Sequence, residues 1–385
     1  MRSEFLPFAR VEVGVEAEQA VLSALRSGWI SQGPEVARFE EKIRAYVGSS
    51  FAVAVSSCTA GLHLLLRAAG IGPGDDVITS AMTFPATANA ILHAGARPVV
   101  ADVSPSSLAL TAATVERAWT PRTRAVVAVH FAGWPCDMDP LVALARDRGA
   151  TLLEDAAHAL GATYRGRPAG ALADAASFSF YATKNLTTGD GGMVTTDRED
   201  LANSVRIARL HGIDVDASRR AGRDYVHWEA VALGWKFNMT DLEAALGLAQ
   251  MGGIDAAIAR RRELDARYRA ELADLDALEF LDGPEDAETA AHLFVMRLRR
   301  GRLTIDRDTM LRALLAENIG VGVHFRALPC HRFFRDEVGL CAADAPVAMD
   351  ASERVFSLPL DPSLSDRDQD EVVAALRRIV AYFRA

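Results

Sequence analysis

A chain of 385 residues, 50% hydrophobic and 24% charged, is long enough for a large α/β unit with a smaller companion. Its net charge of -9, with acidic and basic residues interleaved, excludes a grip on the phosphate backbone of nucleic acid. No apolar run reaches the roughly 18 residues of a membrane span, and MRSEFLPFAR has no signal-type apolar segment, so the expected location is the cytoplasm, away from membranes.

In chain order, the sequence predicts strands over 51–55, 76–79, 98–102, 125–130 and 151–154, with helices over 60–69, 86–94 and 141–148. VVAVH and TLLED are apolar without alternation, as strands covered on both faces are, and the β-then-α order predicts a largely parallel, doubly wound sheet. A strand through SFSF and a second through MVTT flank a glycine- and hydroxyl-rich loop. After a charged stretch over 214–223 come helices over about 240–251 and 254–272, the second bearing Arg260, Arg261 and Arg262 on a face expected to be solvated. HLFVMRL and VGVHF read as strands around a helix over 308–318, and a last helix starts at 366. This change of pattern predicts a large domain over 1–250 and a smaller α+β domain over 251–385.

Cys58, Cys136, Cys330 and Cys341 form no CxxC pair and the histidines no HExxH, so neither a metal site nor a disulfide framework is expected. Among 42 basic residues lysine occurs only at 42, 184 and 236. Lysine can form an imine and arginine cannot, so the candidates for covalent amine chemistry are few.

Three segments could share one site. Ser56 to Gly61 joins a strand to a helix through small residues, a place where amides and the Thr59 hydroxyl can face a phosphate; Ser57 or Thr59 could equally be a plain helix cap. Asp155 ends the strand LLED, at the carboxyl edge where ligands bind in open α/β sheets, and could pair with a protonated ring nitrogen or cap a helix. His158 follows, to support Asp155, touch a ring or serve structure alone. Lys184 sits in the loop after SFSFYAT among apolar and hydroxyl residues that lower an amine's pKa, with Ser179 and Thr183 within plausible reach of a phosphate; a surface lysine at a turn is the alternative. A phosphate seat, an acid and an imine lysine in that order are the parts of a pyridoxal-phosphate site.

The strings GWISQGPEVARFE, SSCTAGLHLLLRAAG, TSAMTFPATANAIL, LLEDAAHALGATYRGRPAG, SFSFYATKNLTTGDGGMVTT, FNMTDLEAALG and GVGVHFRALPCHRFFR resemble the DegT-type sugar-nucleotide aminotransferases, a branch of the fold type I pyridoxal-phosphate enzymes. The likeness covers nearly the whole chain. Within the family, SEFLPF, EDAAH and HGIDVDA are most similar to the enzymes that aminate a UDP-linked 4-keto pentose. The resemblance implies a mostly parallel seven-stranded sheet and a homodimer with shared sites. It implies that Lys184 holds pyridoxal 5'-phosphate as an imine and moves protons, with the pyridoxamine form arising in turnover. Asp155 would bind the ring nitrogen, Phe84 stack on the ring, His158 lie near the ring oxygen, and Thr59, Ala60 and Ser179 hold the phosphate, joined by Asn238 of the neighbouring subunit. It further implies L-glutamate or a similar donor, and a UDP- or dTDP-linked keto sugar as acceptor. Asn185, His324, Phe325 and Arg326 are candidates to contact that sugar.

Phe84 stands where some relatives have tryptophan, Cys58 where many have glycine or alanine, and Met239 where many have arginine. A sugar dehydratase of the same family would carry histidine in place of Lys184, and a non-catalytic regulatory module would not need the acid and lysine. Gly70-Ile71-Gly72-Pro73-Gly74 follows a helix and lacks the glycine spacing of a dinucleotide loop, which argues against a dehydrogenase.

Overall fold

The computed structural model describes residues 2–215 and 227–385, so most of the charged stretch predicted over 214–223, and the end of HGIDVDA, lie outside the described residues. Seven strands form the main sheet: β1 (Phe51–Val55), β2 (Asp76–Ser80), β3 (Arg97–Ala101), β4 (Thr123–Val129), β5 (Thr151–Asp155), β6 (Ala175–Ser179) and β7 (Gly192–Thr196). Their order is β1-β7-β6-β5-β4-β2-β3. Only β7 opposes its neighbours; β3, β2, β4, β5 and β6 pair in parallel. The sheet is thus mostly parallel, as the sequence predicts.

Helices α1 (Val15–Ser27), α2 (Pro34–Val47), α3 (Cys58–Ala68), α4 (Pro85–His93), α5 (Ala112–Arg117), α6 (Met138–Asp147), α7 (Glu199–Ala208) and α8 (Asp241–Gln250) accompany it. Alternate strand residues enter opposite cores. Ala54, Val126, Leu152 and Ala176 pack with α2 and α6, while Val53, Val55, Val127 and Leu153 pack with α3, α4 and α7. Burial on both faces is why these strands are unbroken apolar runs.

A three-stranded antiparallel sheet follows, β8 (Leu278–Phe280), β9 (Phe294–Leu298) and β10 (Val355–Leu358), with helices α9 (Ile254–Leu272), α10 (Arg307–Ala316), α11 (Pro346–Ser352) and α12 (Asp366–Tyr382). Its core joins Leu264, Tyr268, Phe294, Phe356 and Leu376 to Leu6 of the N-terminal segment. Among the described residues no helix is long and apolar enough to cross a membrane.

Two expectations are corrected. VGVHF is not a strand: Gly322 alone bridges Ser357, and the strand beside β9 is VFSL. The backbone just before it pairs instead with the N-terminal segment, Leu6 donating to Asn318 and Gly320 to Leu6, while His324 and Phe325 turn into a cavity. Nor is the arginine trio a uniformly solvated face. Arg261 is only 5% exposed and donates to the Leu360 carbonyl at 2.7 Å, and Arg262 bonds the Thr289 and Gly161 carbonyls. The guanidinium fork here serves main-chain acceptors rather than water.

One buried carboxylate ties α2 to α8. Asp241 accepts from the amides of Gly33 (2.7 Å), Glu35 (3.2 Å) and Val36 (3.1 Å), satisfying the otherwise orphaned start of α2. Asp241→Ala is expected to cost about 2–4 kcal/mol by stranding these amides, a loss readable in denaturant unfolding at unchanged m-value.

Candidate active site

A cavity of about 330 Å³ opens at the carboxyl ends of β1, β5 and β6. The register sets Val55, Gly192 and Ser179 abreast on β1, β7 and β6. A Cβ on Gly192 would lie 2.5 Å from the Ser57 carbonyl carbon and 2.6 Å from the Cys58 nitrogen. Only glycine lets β7 pass this close beneath the turn, and the Ser57 turn and Ser179 thereby border the same space. Ser57 is the helix cap: its Oγ accepts from the Ala60 amide at 3.0 Å. That commits the Ala60 N–H locally, while Ser57, Cys58 and Thr59 line the cavity at the positive end of the helix dipole.

Asp155 is 6% exposed and caps no helix. Its Oδ2 accepts from the Thr87 hydroxyl at 2.7 Å and its Oδ1 from the Ala157 amide at 3.2 Å, with the Cys58 thiol at 3.8 Å. Thr87 is also within 2.8 Å of the Thr83 hydroxyl. The carboxylate is therefore fixed with one edge toward the cavity it lines.

Lys184 lines the same cavity, its backbone amide donating to the Tyr181 carbonyl at 2.9 Å in the turn after β6. Burial pushes its amine down to about 8, against the raising influence of Cys58 and Asp155. The unfolded chain keeps that proton up to about pH 10.5 and the folded one only to about 8, so the buried ammonium costs stability below pH 8 and the cost fades as pH rises from 8 to 10.5. Lys184→Met is accordingly expected to stabilise the cofactor-free protein at pH 7 by about 1–3 kcal/mol. Denaturant unfolding at pH 7 and pH 9 checks both the gain and its decline.

Phe84 stands at the start of α4, 59% exposed yet lining the cavity, with its ring 5.9 Å from Phe325. His158 stacks on Phe325 at 5.7 Å and lies 4.6 Å from the His292 ring rather than bonding Asp155. Burial holds His158 well below the ordinary histidine range, and its Nδ1 is buried with no partner among the described residues. His324 bonds the Ser357 hydroxyl at 2.9 Å and stacks on Phe8; burial, then Lys184, lowers it to about 4.

Not every candidate reaches the cavity. Asn185 turns away to donate to the Ala290 carbonyl at 2.8 Å, and Arg326 reaches the Cys330 carbonyl on the exposed side. Asn238 is buried elsewhere, with its Oδ1 accepting from Lys236 at 2.6 Å. Sequence reasoning missed Thr87, His292 and Phe8. Thr87 had a local signal, three residues after Phe84 in MTFPAT, whereas His292 and Phe8 arrive only through tertiary folding.

A depressed lysine amine, a fixed carboxylate and a helix-start anion seat fit pyridoxal 5'-phosphate, and the unpartnered His158 nitrogen leaves a polar contact for it. Enzymes that move amines through that cofactor are the class this fold and site define. Comparison with known proteins is specific: residues 12–377 match the DegT/DnrJ/EryC1/StrS aminotransferase family, and the chain belongs to it. It is 46% identical to the spore coat polysaccharide biosynthesis protein SpsC of Bacillus subtilis, over 98% of both chains. Among solved structures, Spr1654 of Streptococcus pneumoniae in its pyridoxamine-phosphate form aligns with a TM-score of 0.92 at 30% identity, covering 98% of this chain and 99% of that one. The sugar aminotransferase CalS13 of Micromonospora echinospora aligns at 0.86 and 31%, covering 97% and 99%.

Proposed function

We propose that this enzyme moves an amino group from L-glutamate to the 4-keto carbon of a nucleotide-linked sugar, as a cytoplasmic homodimer using pyridoxal phosphate. The observation that carries the reading is the Lys184 amine in one cavity with Asp155 and the Ser57–Thr59 helix start. Bound there, the cofactor supplies an electron sink for the carbon that loses or gains nitrogen. Lys184 holds it, takes the α-proton of the donor and returns a proton to the sugar carbon. Asp155 keeps the ring nitrogen protonated, Phe84 covers a ring face and His158 meets the ring oxygen. Thr59 and Ser179 hold the phosphate with the α3 start, and Asn238 of a second copy completes the seat.

Support for a sugar acceptor comes from kinship with CalS13 and with SpsC, whose name places it in polysaccharide synthesis. His324 and Phe325, on the cavity wall, are the sugar contacts that fit best. Exposed Leu22, Leu25, Ile30 and Leu233 offer apolar surface for the second copy. The test incubates the enzyme and L-glutamate with a UDP-linked 4-keto pentose and, separately, a dTDP-linked 4-keto-6-deoxyhexose. Mass spectrometry should find an amino-sugar nucleotide and 2-oxoglutarate with one of them. Conversion of glutamate without either sugar product would reject these acceptors.

A further inference from the structure

His292 is 5% exposed, lines the cavity and has no part in the scheme above. Its segment is pinned from several sides. Ala290 and Leu293 donate to the carbonyls of Gly133 and Ala132 at 2.9 and 3.2 Å, and the Arg261 guanidinium reaches the His292 carbonyl at 3.4 Å. Hydrogen-bond logic then settles the ring's tautomer. The Ala290 carbonyl can only accept, so the Asn185 group 2.8 Å from it must be the NH₂, and Asn185 presents its oxygen to His292. That oxygen can only accept, so Nδ1 of His292, 3.3 Å away, carries the proton. The other nitrogen, Nε2, is left with a lone pair 3.5 Å from the Lys184 Nζ.

We propose that His292 is a positioning residue for the lysine amine: locked as the Nδ1–H tautomer by Asn185, it accepts an N–H from Lys184 and so orients the nitrogen's remaining valences into the cavity. The inference rests on Lys184 as the cofactor lysine. The bond is an accepted hydrogen bond and no proton leaves Nζ for the imidazole. His292 stays neutral across the working range because burial, and then the charges of Lys184 and Arg261 beside it, disfavour its imidazolium, while the facing imidazoles of His158 and His324, themselves held neutral, would oppose it further only once protonated. Asn185, placed beside the lysine but turned from the cavity, thereby acts through His292 rather than on a sugar.

The chain's three lysines make the test clean. Reductive methylation of the cofactor-free full chain consumes neutral amines, and peptide mass spectrometry reads Lys42, Lys184 and Lys236 separately as pH is varied. Wild type should label Lys184 with a midpoint near 8. In His292→Leu the ammonium loses an acceptor in a desolvated site, and the Lys184 midpoint should fall by about one pH unit; His292→Gln, whose oxygen can accept, should restore it. Lys42 should not move in either variant. A Lys184 midpoint equal in wild type and His292→Leu overturns the proposal. Should the leucine variant fail to fold, the ¹⁵N spectrum of ring-labelled wild-type histidine decides instead: a protonated Nδ1 with bare Nε2 supports it, and the opposite tautomer overturns it. Pyridoxal phosphate must protect Lys184 alone from labelling; absence of that protection defeats the cofactor assignment itself, an outcome distinct from failure of the His292 role.

Discussion

Lys184→Ala is expected to abolish transamination, by at least roughly 10⁴-fold in kcat, because the proposed scheme places both the attachment and the proton carrier in its one amine nitrogen. The fold should survive. The turn that carries residue 184 is held by main-chain bonds, Lys184 to Tyr181 at 2.9 Å and Thr188 to Phe180 at 2.9 Å, and by Gln250 bridging to the Thr187 backbone. Among the described residues, the one hydrogen-bond contact of its side chain is the long one to His292 at 3.5 Å. Near-wild-type circular dichroism with no steady-state amine transfer is therefore the expected pair of results, and a variant that transfers amine without added external amines contradicts the assignment.

Asp155→Asn should keep the fold and lose about 10²- to 10³-fold in kcat. Asparagine preserves shape, and its oxygen can still accept from Thr87, so the anchoring at 2.7 Å need not be lost. What disappears is the negative charge that, in the proposed scheme, keeps a pyridine nitrogen protonated. Stopped-flow measurement of the glutamate half-reaction should place the loss in the step that removes the α-proton, not in cofactor uptake alone. A variant with unchanged half-reaction rate would mean that Asp155 serves structure only.

Much of the large sheet was legible because burial on both faces leaves continuous apolar runs, and because strand ends carry Asp155 and deliver Lys184. A chain that spends arginine almost everywhere also makes its lysines conspicuous. The failures have a common physical cause. VGVHF has a strand's composition, yet its neighbours' backbone bonds go to Leu6, and His292 looks like one residue leading into the apolar strand β9 until Asn185 and Lys184 fold against it. Arg261 reads as a charge on a helix surface, but carbonyls distant in sequence take it inside. Long-range partners of polar groups leave no local pattern, and such partners decided each of these positions.

The most direct measurement is the visible absorption spectrum of the purified protein with pyridoxal phosphate, before and after L-glutamate, for wild type and Lys184→Ala. The account predicts a band of lysine-bound cofactor in wild type that gives way to the pyridoxamine spectrum on adding glutamate, with no lysine-bound band in the variant. A wild-type protein that takes up no pyridoxal phosphate, or whose spectrum is the same with and without Lys184, would contradict it.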